Sequence, residues 1–225
     1  FGAFERNANL TSVTIPNGVT SIDTGAFYGC TSLTRVYIPN GITSIGRSAF
    51  SGCTNLASTY FLGNAPVLGS SVFSRANENH IFYYLDTSTG FTSPTWEGYP
   101  TQMINTATYP KASWLLESNL GYDANLNQDL NGDGVSLLMA YALDLNPNER
   151  LTNRLPKAEL HTNNLSMNYY AGSAGVTYRV EASKDLNTWE TTDVTTSDPD
   201  GDGVRTASIP RDDVCGFLRL VVIEE

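Results

Sequence analysis

The segment NLTSVTIPNGVTSI at 9–22 returns 23 residues later as SLTRVYIPNGITSI at 32–45. The same period extends to both sides of this pair and places apolar residues at five repeated positions. These positions hold Phe4, Phe27, Phe50 and Phe73; Leu10, Leu33 and Leu56; Ile15, Ile38, Phe61 and Tyr84; Val19, Ile42 and Ala65; and Ile22, Ile45 and Leu68. Because one turn of this length cannot cover its own apolar face, we expect successive turns to stack and bury a continuous apolar column.

Each turn has the pattern of one short strand followed by a sharp bend. The stretch LTSVTIP at 10–16 predicts a strand with Val13 and Ile15 pointing inward, closed by proline. The Asn-Gly pairs that follow favour a tight turn, since both residues tolerate positive φ. A period of 20–29 residues with recurrent leucine and isoleucine indicates a leucine-rich-repeat solenoid. We therefore predict about four turns of 23 residues with parallel strands over residues 1–104, at the start of a mainly β chain.

The ends of this array differ from its middle. The last turn runs into IFYYLDTSTGFTSPTWEGYPT at 81–101, whose proline and aromatic residues we expect to close the stack. Phe1 begins in mid-turn without a basic-then-apolar leader. We expect that an N-terminal cap and any export signal lie outside these residues, or that this end meets a partner.

The segment GAFYGCTSLTRVYIPNGITSIG at 25–46 resembles the BspA-type (Treponema-type) leucine-rich repeat of bacterial surface proteins. The segments GNAPVLGSSVF, FYYLDTSTGF and GYPT resemble the terminal turn of such arrays. The resemblance covers about residues 1–104 and implies a secreted or cell-surface bacterial protein. It implies adhesion to host or matrix proteins, the use made of the repeat in known members, and no catalytic residues.

Charge is low overall and uneven along the chain. Charged residues make up 16% of 225 residues, below the typical value of about 25%. Residues 1–104 hold 5 acidic and 4 basic side chains and residues 105–225 hold 18 and 9, which together give the net charge of −10. This balance excludes a general nucleic-acid binder, which needs basic clusters. No apolar run approaches the ~18 residues of a membrane span, so we expect no membrane insertion.

The cysteine and histidine residues offer little for catalysis. Cys30 and Cys53 share one position of the period, and we expect two buried free thiols, with a disulfide or metal pair as the alternative. Cys215 is also expected to be buried. His80 and His161 lie far apart, so the sequence shows neither a zinc site nor a Ser-His-Asp set. We predict that the chain is not an enzyme.

A row of tyrosines is the best candidate for ligand binding. The position before the inward isoleucine holds Thr14, Tyr37, Tyr60 and Tyr83. Alternation along a strand places these residues on the outer face of the sheet, where neighbouring strands lie about 4.8 Å apart. Tyrosine suits protein or sugar surfaces, and Arg35 flanks the row. The alternative is a cross-strand ladder that only stabilises the sheet.

Residues 105–155 are predicted to form a helix-loop-helix linker with a calcium-like loop. Oxygen-bearing side chains recur at every second residue from Asp123 to Asp133. Ca²⁺ prefers several hard oxygen ligands, so the predicted metal ligands are Asp129, Asn131, Asp133 and the Val135 carbonyl. Ala140 stands where a bidentate carboxylate belongs. The candidates to replace it are Asn127, Asp123 and Asp144, and the alternative is a solvated turn without metal.

This loop resembles those of dockerin and thrombospondin type 3, and most closely a segment common in secreted proteins of Verrucomicrobia and their relatives. The resemblance covers about 35 residues and implies the ligand set Asp129, Asn131 and Asp133. Dockerins present two such loops as a pair, so a single degenerate loop is not expected to act as one.

Residues 156–225 alternate like the strands of a small antiparallel β-sandwich. The predicted strands are KAELHT, LSMNYY, VTYRVEAS, TWETTDV, VRTASIP and FLRLVVIE. Trp189 is expected in the core, and SDPDGDG at 197–203 is expected to form a hairpin turn rather than a second calcium site. The domain resembles one found beside the same loop in those secreted proteins, and no function follows from that resemblance.

Three functions remain open on the sequence. The first is an extracellular or cell-surface binding or adhesion protein that recognises a protein or glycan through the sheet face of the solenoid. The second is an accessory C-terminal part of a larger secreted enzyme. The third is an architectural surface component without a specific ligand.

Overall fold

The structure is a computed structural model that describes residues 2–122, 124–210 and 216–225. The chain divides into two compact units, Phe1–Asp123 and Ala124–Glu225. This division falls inside the segment 105–155 that the sequence assigns to a linker.

The first unit is a stack of coils built on two largely parallel sheets of short strands. Its strands are β1 (Ser21–Ile22), β2 (Arg35–Ile38), β3 (Ser44–Ile45), β4 (Ser58–Phe61), β5 (Val67–Leu68), β6 (Ile81–Leu85), β7 (Thr95–Trp96) and β8 (Tyr99–Ile104). One sheet has the order β1-β3-β5 and the other β2-β4-β6-β8-β7, with only the β7–β8 pair antiparallel in the described residues. Tyr37 pairs with Tyr60, and Tyr60 with Tyr83, so neighbouring strands are offset by the 23-residue period.

The four repeated phenylalanines form one column through the interior. Consecutive rings, from Phe4 to Phe73, stack with centroids 5.3, 5.1 and 5.3 Å apart and planes within 6° of parallel. The backbone repeats with them, since the amide of Phe27 donates to the carbonyl of Ala49 at 2.8 Å. This column and the parallel register confirm the predicted solenoid.

The coils approach so closely that glycine is required where they touch. A Cβ atom on Gly46 would lie 2.5 Å from the backbone nitrogen of Thr24, and one on Gly69 would lie 2.6 Å from that of Arg47. These glycines are 23 residues apart, so the period also fixes the spacing between backbones.

The predicted strand at 10–16 is not present in the described structure. Among the residues that the structure describes, the first coil has a neighbouring coil on one side only, and its Leu10 and Val13 side chains are half-buried. At the other end the stack is closed as expected. Trp96 and Tyr99 pack against Phe82 with ring centroids 5.7 and 4.8 Å away.

Helix α1 (Ala112–Glu117) belongs to the first unit. It begins shortly after Pro110 and buries Ala112, Leu115 and Leu116. Residues 105–122 are thus part of the solenoid unit.

The second unit combines helix α2 (Leu137–Ala142) with two antiparallel sheets. Its strands are β9 (Ala158–Leu160), β10 (Asn164–Tyr170), β11 (Val176–Ser183), β12 (Thr195–Thr196), β13 (Val204–Pro210) and β14 (Phe217–Glu224). The sheets have the orders β12-β13-β10-β9 and β11-β14. Leu143, which follows α2 directly, shares one buried cluster with Tyr169, Val180 and Ala207 of the two sheets. The antiparallel architecture is as predicted, although TWETTDV forms only a single bridge, between Glu190 and Ala182.

Both helices of the described residues contain six residues. Within that part of the chain, no helix has the length and apolar character needed to cross a membrane.

Candidate functional site

The tyrosine row exists, with its rings stacked along the sheet. The ring centroids of Tyr37 and Tyr60 are 5.0 Å apart, and those of Tyr60 and Tyr83 are 4.8 Å apart. Their planes lie within 18° of parallel. This spacing follows from the parallel register, which sets equivalent residues on neighbouring strands side by side.

Helix α1 and the last strands cover much of this row. Tyr37 is 5% exposed and shares a buried cluster with Leu85, Ile104, Ala112 and Leu116. Tyr60 and Tyr83 are half-buried against the same cluster. Burial raises the pKa of the Tyr60 hydroxyl to about 12. The row therefore lies beneath a partial cover, which the sequence analysis did not predict.

The accessible part of the sheet face lies beside the tyrosines. Arg35 and Ser12 are exposed, whereas Ser58 and Ile81 are half-buried. Arg35 pairs in register with Ser58, and Ser58 with Ile81, so these residues form a second row parallel to the first. Of the four predicted ligand-binding residues, Arg35 is the most accessible and Tyr37 the least. Binding by these residues remains a prediction.

The interior of the solenoid holds two free thiols. Cys30 and Cys53 are fully buried and unpaired with each other, and their Sγ atoms donate to the carbonyls of Phe4 and Phe27 at 3.1 and 3.2 Å. Burial raises the pKa of the Cys53 thiol to about 12. Both cysteines are core residues, as expected. Cys215 lies outside the described residues.

The interior also holds one histidine that the sequence analysis did not place there. His80 is 2% exposed, and its Nε2 atom lies 2.9 Å from the Oγ1 atom of Thr59. The rings of Phe73, Phe82 and Tyr99 surround it, and Nδ1 has no hydrogen-bond partner among the described residues. Burial lowers the pKa of His80 to about 4, because a charged imidazolium would be poorly solvated among these rings. The side chain is thus neutral at physiological pH.

The calcium-like loop is shaped by bonds from its own backbone. The carboxylate of Asp129 accepts from the amides of Gly132, Asp133 and Gly134 at 2.9, 3.2 and 2.8 Å. The carboxylate of Asp133 accepts from the amides of Leu151 and Val135 at 2.6 and 3.0 Å, and the Leu151 bond is the main cause of its lowered pKa. A carboxylate has about four lone-pair sites, so these backbone bonds already occupy three sites on Asp129 and two on Asp133.

Asn131 takes part in the same loop. Its Oδ1 atom accepts from Asp133 at 3.1 Å, and its Nδ2 atom donates to the carbonyl of Glu149 at 2.6 Å. Gly132 and Gly134 adopt φ of 69° and 86°, which permits the sharp bend. The loop leads into α2, where the Oγ atom of Ser136 accepts from the amide of Met139 at 3.3 Å.

The remaining predicted metal ligands are scattered. Val135 is buried, Asn127 is exposed, and Asp123 lies outside the described residues. Asp144 lies past the far end of α2, about 10 Å along the helix axis from the loop. Ala140, at the position of the usual carboxylate, is 1% exposed. Among the residues described, no three His, Cys, Asp or Glu side chains form a metal-binding group. Calcium binding stays a prediction.

The second acidic stretch is a turn, as the sequence predicts. The amide of Asp200 donates to the carbonyl of Val204 at 2.9 Å, and the Asp200 carboxylate accepts from Asp202 and Val204 at 3.0 and 2.8 Å. It joins β12 to β13, which pair antiparallel.

A charged cluster lies on the β11–β14 sheet of the second unit. The carboxylate of Glu181 pairs with Arg179 at 2.8 Å and with Arg219 at 2.6 Å. The Arg219 hydrogen bond is the main cause of the lowered pKa of Glu181. The Arg219 guanidinium lies 4.2 Å from the ring centroid of Trp189. Trp189 is half-buried beneath this arginine, so the expectation that it lies in the core is wrong.

Comparison with known families identifies the repeat. Residues 1–105 match the BspA type leucine rich repeat region in six copies. The 23-residue period, by contrast, gives about four turns over the same residues. The match covers the solenoid and does not extend to the calcium-like loop or the C-terminal strands, whose resemblances stay predictions. Neither the curated proteins nor the solved structures contain a match to this chain.

Residues 1–105, which lie in the first unit, are therefore BspA-type leucine-rich repeats. Proteins with this repeat are typically secreted or exposed on the cell surface and typically lack catalytic activity. A role in surface protein binding or adhesion is consistent with the repeat.

Proposed function

We propose that the chain is an extracellular or cell-surface protein that binds or adheres to a protein or glycan through the sheet face of its solenoid, and that it has no catalytic activity. The observation that carries this proposal is the parallel register of β2, β4 and β6, which places equivalent side chains in straight rows. A row of this kind presents several contacts to one partner, and the stacked rings have little side-chain freedom left to lose on binding.

Accessibility selects the residues that make the contact. The exposed Arg35 and the half-buried Tyr60 and Tyr83 are the members of the predicted set that a partner reaches. Arginine and tyrosine are enriched among the residues that dominate binding energy. Tyr37 serves in this proposal as the buried support on which the ring of Tyr60 stacks.

The interior supports a binding role over a catalytic one. Apolar side chains fill it, and its buried polar pair, Thr59 and His80, is joined by a hydrogen bond. His80 is 2% exposed, so it is out of reach of a substrate in solution.

An array experiment tests the proposal. The whole chain is applied to immobilised glycans and extracellular-matrix proteins, together with Arg35→Ser and the control Arg47→Ser, which removes an exposed arginine from outside the described strands. We expect at least one retained target, with binding weakened about tenfold by Arg35→Ser and unchanged by Arg47→Ser. Retention of no target would contradict recognition and favour a purely architectural role.

We also propose that the loop at Asp129, Asn131 and Asp133 binds Ca²⁺ weakly, with the Val135 carbonyl as a further ligand. The support is the set of hard oxygens that the loop gathers. The backbone bonds to Asp129 and the alanine at position 140 both argue for low affinity.

A further inference from the structure

Three asparagines of the chain are followed directly by glycine. Asn17-Gly18 and Asn40-Gly41 lie one 23-residue period apart, and Asn131-Gly132 lies in the calcium-like loop. Asparagine is a thermolabile residue, and a following glycine favours loss of its side-chain amide, because no Cβ atom shields the glycine nitrogen. The first two pairs have almost the same neighbours, since they stand in Pro-Asn-Gly-Val and Pro-Asn-Gly-Ile. A difference in reactivity between these two pairs must therefore come from the fold.

The turn at Asn40 is held between neighbouring coils. It follows β2 and precedes β3, and β3 pairs with β1 on one side and with β5 on the other. The two residues that flank the pair are buried. A Cβ atom on Gly63 would lie 2.7 Å from the Cα atom of Asn40, and one on Gly41 would lie 3.0 Å from the carbonyl oxygen of Asn17. The backbone of this turn thus has close neighbours in two other coils.

The turn at Asn17 has much less around it. Residues 10–16 form no strand in the described structure, Pro16 is exposed and Val19 is half-buried. A Cβ atom on Gly18 would meet nothing within 4 Å in the described part of the chain. The side chain of Asn17 and the amide of Gly18 make no hydrogen bond to any residue that the structure describes. Few contacts therefore oppose the approach of these two groups to each other.

The pair in the calcium-like loop is exposed but is held by hydrogen bonds. The Nδ2 atom of Asn131 donates to the carbonyl of Glu149 at 2.6 Å, and its Oδ1 atom accepts from the amide of Asp133 at 3.1 Å. The amide of Gly132 donates to the carboxylate of Asp129 at 2.9 Å. Because attack by the Gly132 nitrogen would break these bonds, exposure alone does not make this pair reactive.

We infer that Asn17 is a site of spontaneous deamidation in the folded chain, selected from the three asparagine-glycine pairs by the open packing of its turn. The backbone nitrogen of Gly18 loses its proton and bonds to Cγ of Asn17, while Nδ2 takes up a proton and leaves as ammonia. Water then opens the resulting cyclic imide at either carbonyl and leaves aspartate or isoaspartate. The product is one unit more negative than the net charge of −10. This reaction is independent of the proposed function, since it needs only water.

Peptide mapping by mass spectrometry tests the site on the whole chain. The protein is incubated at mildly alkaline pH, and aspartate and isoaspartate are quantified at Asn17, Asn40 and Asn131 over time. We expect Asn17 to react about tenfold faster than Asn40 in the folded chain, because its turn opens locally more often. In urea the two should react at equal rates, because their neighbours match. Reaction at Asn40 or Asn131 as fast as at Asn17 in the folded chain, or the same ratio in urea, would overturn the inference.

A matched variant acts on the attacking nitrogen. The φ angle of Gly18 lies outside the left-handed region and a Cβ atom there has space, so Gly18→Ala should fold like the wild type. We expect this variant to slow the reaction at Asn17 about tenfold, because the new Cβ atom shields the nitrogen, and to leave Asn40 unchanged. Isoelectric focusing gives a second readout through the added negative charge. If Gly18→Ala deamidates at the wild-type rate, the nitrogen of Gly18 is not the nucleophile and the site is wrong.

Discussion

The solenoid and the C-terminal unit bury apolar side chains by different means. In the solenoid, strands pair with the coil 23 residues away, and each apolar position stacks on its own equivalent. In the C-terminal unit, Val176 pairs with Glu224, 48 residues away, and the sheet carries the ionic cluster of Glu181. A repeat thus needs only one set of contacts used many times, whereas the second unit depends on contacts that occur once.

The difference extends to charge. The segment 1–104 holds 5 acidic and 4 basic residues, and no ion pair is described inside its core, whereas the segment 105–225 holds 18 acidic and 9 basic residues. The described part of the solenoid interior holds the imidazole of His80, whose pKa in the unfolded chain lies close to physiological pH. Acid should therefore act on the two units through different groups.

The largest expected effect comes from the phenylalanine column. Phe50 is fully buried between two stacked rings, so Phe50→Ala should lower the free energy of unfolding of the solenoid by about 3–5 kcal/mol. Phe4 is 45% exposed at the end of the same column, and the control Phe4→Ala should cost much less. Amide hydrogen exchange reports each unit separately. The exchange rates of Phe50→Ala are compared with those of the wild type. A larger increase in β10 and β13 than in β2 and β4 would contradict the assignment of the column to the solenoid alone.

His80 should make the solenoid sensitive to acid. Its pKa is about 4 in the folded chain and about 6.5 when unfolded, so the unfolded chain binds the proton first. The free energy of unfolding of the solenoid is therefore highest above pH 6.5 and decreases as the pH falls below that value. The full decrease of about 3 kcal/mol is reached below pH 4. Urea unfolding at pH 7 and pH 4 measures this loss.

The matched variant replaces both members of the buried polar pair. Thr59→Val with His80→Leu removes the titrating group without leaving the threonine hydroxyl unpaired. The pH dependence of the solenoid should be smaller in this double variant than in the wild type. The same dependence in both proteins would show that His80 is not its source.

Glu181 should have a smaller effect, confined to the second unit. Glu181→Gln removes the partner of Arg179 and Arg219, both of which are about half exposed, so solvent and salt already weaken the pairs. We expect faster amide exchange in β11 and β14 and no change in β2 and β4. Because its folded pKa is lowered, the contribution of Glu181 is present at neutral pH and is lost as the pH falls through that pKa. If Glu181→Gln changes amide exchange in β11 and β14 equally at pH 7 and at low pH, the role of Glu181 is not ionic.

Calcium should have the smallest effect. With Ala140 in place of a carboxylate, we expect a Kd of about 10⁻⁴–10⁻³ M, so 5 mM Ca²⁺ should stabilise the second unit by about 1–2 kcal/mol. Differential scanning calorimetry with Ca²⁺ and with chelator measures the shift, and Asp133→Asn should reduce it. An unchanged melting temperature in the wild type would refute the site.

Repetition made the solenoid predictable from the sequence. The 23-residue offset alone gave the pairing of Tyr37 with Tyr60 and the shared positions of Phe27 and Phe50, because each coil repeats the environment of the one before. The strands VTYRVEAS, VRTASIP and FLRLVVIE were also predicted at their observed bounds, since alternation and turns marked them.

The features that were missed depend on contacts outside the repeat. Periodicity shows which residues are equivalent but not what packs on the outer face, so the cover that Ala112 and Leu116 place on Tyr37 was not foreseen. His80 stands where the fourth coil departs from the leucine pattern, and only the structure shows its burial beside Thr59. The placement of Trp189 beneath Arg219 joins residues 30 positions apart, with no pattern in the sequence to relate them.

The most direct test of the stacked coils is aromatic NMR of the chain with labelled phenylalanine. Ring centroids of 5.3, 5.1 and 5.3 Å predict cross-peaks from Phe4 to Phe27, from Phe27 to Phe50 and from Phe50 to Phe73, and none between rings two coils apart. Contacts between Phe4 and Phe50, or an absence of contacts between consecutive rings, would contradict the solenoid.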